Sequence, residues 1–86
     1  MIGLSSATKI YLFAEPVDMR KGFDGLSDIV KRQGLDIFSG HLFVFISKRG
    51  DRMKILTWER GGLVLSELVD QAQMVYDNHI LSKEMI

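Results

Sequence analysis

Residues 41–58 read HLFVFISKRGDRMKILTW, and the reading of this run decides the fold. His41 to Ser47 is a nearly continuous apolar segment of strand length, the pattern of a strand buried on both faces. Lys48-Arg49-Gly50-Asp51 is a compact turn signal. Arg52 to Trp58 then returns as a second strand. Its two-residue period puts Met53, Ile55 and Thr57 on one face and Arg52, Lys54, Leu56 and Trp58 on the other. That second face is basic near the turn and apolar beyond it. The whole stretch predicts an antiparallel hairpin.

Downstream of the hairpin, Glu59-Arg60-Gly61-Gly62 marks another turn, and Leu63-Val64-Leu65 adds a short third strand to make a meander. Leu65, Leu68, Val69, Ala72 and Tyr76 then recur at helical spacing. Ser66 stands as a cap and Asp77-Asn78 as a stop, which predicts a second, weakly acidic helix. Upstream, Phe38-Ser39-Gly40 marks a turn, and Met19, Phe23, Leu26 and Val30, with Ile29 beside them, draw one apolar stripe. The stripe predicts a helix over 19–33, capped by Asp18. Lys31 and Arg32 complement its negative end and Gly34 is its C′ residue.

Gly22 and Gly25 cost such a helix up to ~1 kcal/mol each relative to alanine. Three residues apart, they share a face, which fits close packing of the helix on a sheet or close approach of another molecule. Residues 8–14, TKIYLFA, read as a first strand that Pro16 brings to a stop. The order is strand, helix, antiparallel meander, terminal helix: a small α+β domain, with residues 1–86 as one unit.

Composition narrows the function. With 86 residues and 47% apolar content the chain has enough apolar surface for one core and one domain. It has no cysteine, hence no disulfide and no thiolate nucleophile. The N-terminus shows no secretory pattern and no apolar run approaches the ~18 residues of a membrane span, so a cytoplasmic protein is expected. Formal net charge is zero, but residues 1–62 hold ten Lys or Arg against seven acids and residues 63–86 one against four. Overall neutrality argues against coating nucleic acid by bulk charge and leaves room for a local basic patch.

The segments DMRKGFDGL, FSGHLFVF, RGDRMKIL and WERGGLVL, in that order, closely resemble the small accessory protein encoded by the second reading frame of insertion-sequence-66 transposons. That protein is TnpB-type in label and shares only the label with the RNA-guided nucleases. The resemblance covers about residues 8–65. It implies a non-catalytic, cytoplasmic bacterial protein that works beside a separate transposase in DNA transposition, with DNA or the transposase itself as direct partner. After GGLVL the family pattern continues with a basic stretch, where this chain reads SELVDQAQMVYDNHILSKEMI. Residues 66–86 are therefore expected to diverge. An inactive, truncated copy with an altered end is a further reading.

The candidate DNA-binding residues are Arg20, Lys21, Lys48, Arg49, Arg52 and Lys54, long cations on a helix start and an adjacent hairpin that could neutralise successive phosphates. The competing reading is an ordinary solvated surface. Arg20 and Lys21 stand at the positive end of a helix, where cations are disfavoured by some tenths of a kcal/mol unless an anion sits there. Arg49-Gly50-Asp51 is a hairpin turn rather than an integrin ligand. His41 and His79 lack partners at metal-ligand spacing, and Asp18, Asp24, Asp51 and Glu59 suit caps and turns better than magnesium; no metal, cofactor or catalytic residue is expected. Tyr11, Phe43, Phe45 and Trp58 could stack on bases but fit a core. A sheet apolar on both faces packs on the first helix on one side and on the terminal helix or a second copy, a homodimer, on the other.

Overall fold

The computed structural model describes residues 8–69 and 83–85. The elements are β1 (Ile10–Leu12), α1 (Phe23–Arg32), β2 (Leu42–Ile46), β3 (Arg52–Glu59), β4 (Gly62–Val69) and β5 (Lys83–Met85). They form one five-stranded sheet in the order β4-β3-β2-β1-β5. The hairpin and meander are present as read: β2 pairs antiparallel with β3, and β3 antiparallel with β4. The sheet is nevertheless mixed, because β1 lies parallel to both β2 and β5. Parallel neighbours need a long crossover, and α1 supplies it between β1 and β2. Among the described residues, one helix against a mixed sheet makes an α+β arrangement.

Two core clusters lie on the two sides of the sheet, as an apolar β2 demands. On the α1 side Leu26 and Val30 pack with Phe43, Phe45, Leu56, Phe13 and Ile37. Phe13 stacks on Phe45 with ring centroids 4.7 Å apart, and Tyr11 stacks on Phe43 at 5.6 Å, so these aromatics serve the core. On the opposite side Leu12, Val44 and Met53 are buried together. The faces of β3 divide as its alternation predicts, with Leu56 in one cluster and Met53 in the other.

Three expectations need correction. The helix begins at Phe23 rather than at residue 19, with Gly22 as N-cap and no side-chain cap. Val17 and Met19 are buried, and residues 18–21 form a turn in which the Lys21 N–H donates to the Asp18 carbonyl at 3.1 Å and the Arg20 N–H to Asp18 Oδ1 at 2.9 Å, so Asp18 closes this turn instead of capping the helix. The glycines do not meet the sheet either. A Cβ at Gly22 would touch nothing, and one at Gly25 would lie 3.2 Å from Cγ of Lys21. The end of the helix is as read. Gly34 takes φ +74 and donates to the Lys31 carbonyl at 2.9 Å, while Leu35 donates to the Val30 carbonyl at 3.3 Å, a Schellman closure.

The third correction concerns the predicted second helix. Residues 65–69, read as its start, belong to β4, which pairs with β3 along its whole length from Glu59↔Gly62 to Arg52↔Val69. An eight-residue β3 presents backbone donors and acceptors over its whole length, and satisfying that ladder outweighs the helical spacing of Leu65 and Leu68. The remainder of that predicted helix lies outside the described residues, as does His79.

Candidate functional site

The six candidate cations come from two segments, which the sheet places at one end. Because β1 and β2 run parallel, their carboxyl ends lie together. Beyond β1 comes the loop that leads to α1, and beyond β2 the turn Lys48–Asp51. Val17 donates its N–H to the Ile46 carbonyl at 2.9 Å, tying the loop to the strand that feeds the turn. Lys54, near the start of β3, donates Nζ to the Lys21 carbonyl at 2.8 Å. The first turn of α1 opens at this same end, so its uncapped N–H groups add to the positive potential.

The turn is built around Ser47. Its N–H donates to the Arg52 carbonyl at 3.0 Å, its Oγ accepts from the Arg52 N–H at 3.2 Å and donates to the Asp51 carboxylate at 3.1 Å. Gly50 takes φ +75, which a β-carbon would oppose, and donates to the Ser47 carbonyl at 3.0 Å. The Arg49-Gly50-Asp51 tripeptide is thus a hairpin turn, with Lys48 and Arg49 exposed on it.

The six cations differ in what they meet. Arg20 is forked onto Asp18: its Nε lies 3.1 Å from both carboxylate oxygens and Nη2 2.7 Å from Oδ2, while its backbone N–H donates to Oδ1 at 2.9 Å. These bonds hold the Asp18 carboxyl well below the usual carboxylate range and raise the Arg20 guanidinium further. The Arg20 side chain is still 91% exposed, so water screens the pair. Arg52 directs Nε to Glu67 Oε1 at 3.0 Å, and its Nη2 reaches the same oxygen. Lys54 is only 9% exposed and opposite Phe45 and Glu67 in register, with its amine turned inward to hold the loop. Lys21, Lys48 and Arg49 are exposed and form no ion pair among the described residues.

Two features escaped the sequence reading. Phe23, counted in the apolar stripe, is 44% exposed at the first residue of α1 and so stands at the cationic end. Phe38 is 59% exposed and meets Trp58 edge-on at 4.9 Å, at the opposite end of the sheet. A stripe position in the first helical turn has no preceding turn to pack beside, and that was the available signal for Phe23. Glu67 was legible only once the strand was carried past Leu65. His41 is engaged, accepting from the Lys9 N–H at Nδ1 and meeting the Tyr11 ring. Among the described residues no group of three or more His, Asp or Glu could hold a metal, and no helix is long and apolar enough to cross a membrane.

Comparison with known proteins gives two matches. The family model described as IS66 Orf2 like protein matches residues 8–76, continuing past Leu65. A protein of Sinorhizobium fredii described as uncharacterized, y4jC, is 40% identical over 67 residues, which is 77% of this chain and 57% of that protein. The chain therefore spans a little over half the length of this relative. No solved structure matches.

Proposed function

Since the chain belongs to the IS66 Orf2-like family, a family of transposition-associated accessory proteins, we propose that it assists transposition without catalysing it, by offering Lys21, Lys48 and Arg49 to the phosphate backbone of transposon DNA. Arg20 and Arg52 flank these three with their carboxylates attached, and Lys54 holds the loop in place. One observation carries this reading: the loop before α1 and the β2–β3 turn meet at one end of the sheet, bringing three exposed cations without carboxylate partners among the described residues beside an uncapped helix N-terminus. A phosphate there reverses the unfavourable sign of cations at a positive helix end.

Fluorescence anisotropy with labelled transposon-end DNA tests it. Three phosphate contacts make the affinity fall about 40-fold between 50 and 200 mM salt. Absence of binding at the lower concentration removes DNA from the proposal. The second reading is a protein adaptor for the transposase of the same element, and the exposed Phe38 against Trp58 favours it, since aromatics lead protein-binding hot spots. Capture of that transposase in the absence of DNA, weakened in Phe38→Ala and unchanged on neutralising Lys48 and Arg49, would select it over the first.

A further inference from the structure

Resting on the DNA reading above, we infer that the strand recognised at the cationic end carries unpaired bases, and that Phe23 is the residue on which a base stacks. Phe23 is a large ring at the first position of α1, 44% exposed, although its helix neighbours Leu26 and Val30 are fully buried. It follows Arg20 and Lys21 in the chain and stands at the end of the sheet that bears Lys48 and Arg49. Asp24, the acid of the first helical turn, is the one carboxylate directly beside it in sequence.

The chemistry of the surroundings selects the partner. An aromatic residue that anchors a protein partner is normally ringed by apolar contacts that exclude water. The charges nearest Phe23 in the chain are Arg20, Lys21 and Asp24, and the turn at the same end of the sheet adds Lys48 and Arg49. A ligand that satisfies both the ring and these cations must present negative charge and an accessible π-face within a few ångströms of each other. A single nucleic-acid strand does so at every nucleotide, whereas a duplex hides its base faces in the stack. Three of the four aromatics that the sequence offers for stacking are not available for it, since Phe43 and Phe45 are fully buried and Tyr11 is stacked on Phe43, and the fourth, Trp58, lies against Phe38 at the opposite end of the sheet.

The experiment compares four labelled ligands of equal length: a single strand, the matching duplex, an abasic single strand, and a single strand with one abasic position. Phe23→Ala is expected to weaken the single strand by about 5- to 150-fold, the range for loss of one base–aromatic stack. It should change the duplex and the fully abasic strand less than twofold. Phe23→Tyr keeps the single-strand affinity and Phe23→Leu does not, which separates stacking from simple apolar contact. Thermal melting of each variant verifies that the half-exposed position leaves the fold intact. Equal loss on single strand and duplex, or no loss on either, overturns the stacking inference while leaving the phosphate surface standing. Failure of the wild type to bind any of the four removes both.

Discussion

The two ends of the sheet are assembled from the same kinds of parts, a tight turn of the meander and a loop at one terminus of α1, yet their charges relate to that helix in opposite ways. At the far end Lys31 and Arg32 occupy the last turn of α1, where the helix dipole favours cations, and Arg32 pairs with Asp28 at 2.6 Å. The cations of the helix are there favoured by its own dipole, and one of them by a carboxylate one turn away. At the near end Arg20, Lys21, Lys48 and Arg49 gather by the helix N-terminus, where the dipole opposes them. Only Arg20 of these four has a carboxylate among the described residues. The contrast teaches that cation number alone says little. What marks a binding surface is cation placement that the fold itself leaves unfavourable and that an anionic partner would relieve.

Neutralising the near end should have the largest effect. Lys48→Ala with Arg49→Ala removes two phosphate contacts, each worth roughly tenfold at 50 mM salt through counterion release, so DNA affinity should drop about 100-fold. The salt slope should shrink by about 1.8. Arg60→Ala, an exposed cation at the far end, is the matched control and should leave both unchanged within twofold. If the two variants behave alike, the ends are equivalent and the comparison fails. Next in size is Lys54→Met, which keeps the apolar stem but leaves the Lys21 carbonyl without its donor. Loss of that part-buried, charge-assisted bond should cost about 1–3 kcal/mol in denaturant unfolding. Amide exchange should accelerate in residues 18–22 more than in residues 34–40, because only the first loop is held by this amine. Gly25→Ala is smaller and of opposite sign. The new Cβ meets only the flexible Lys21 stem, so a stabilisation of up to ~1 kcal/mol is expected, read as a rise in denaturation midpoint.

Much of this was legible in the residues, and the misses share a cause. The hairpin was legible because a two-residue period and a glycine turn are local signals, and the Gly34 helix stop was legible for the same reason. The parallel alignment of β1 with β2 was not, since it depends on where α1 returns the chain. Leu65 to Val69 went wrong because a helical spacing of apolar residues is also compatible with a strand, and the choice was made by the unpaired edge of β3, a long-range demand. The same holds for the site. Which cations exist was plain from the sequence. Which of them are spoken for was not: Asp18 holds Arg20 because residues 18–21 form a turn where a helix start was expected, and Glu67 reaches Arg52 only across a strand pair that the helical reading had dissolved.

The smallest effect concerns the Asp18–Arg20 pair, and it sets whether the near end counts three cations or four. Asp18 is held well below its ordinary value of 3.8 by the Arg20 side chain and backbone N–H. A carboxylate depressed in the folded state contributes stability above its unfolded value, and that contribution fades as pH falls through the folded value. Asp18 should accordingly take up its proton only well below 3.8 on acidification, which a carboxyl-resolved NMR titration can follow. Its effect on unfolding should be slight, because both partners are solvated. Asp18→Asn keeps an oxygen for the Arg20 N–H but frees the guanidinium, so the salt slope of DNA binding should steepen by about 0.9. A titration midpoint at 3.8 would mean that the pair does not persist in solution. Arg20 would then already belong with Lys21, Lys48 and Arg49, and Asp18→Asn would leave the slope where it was.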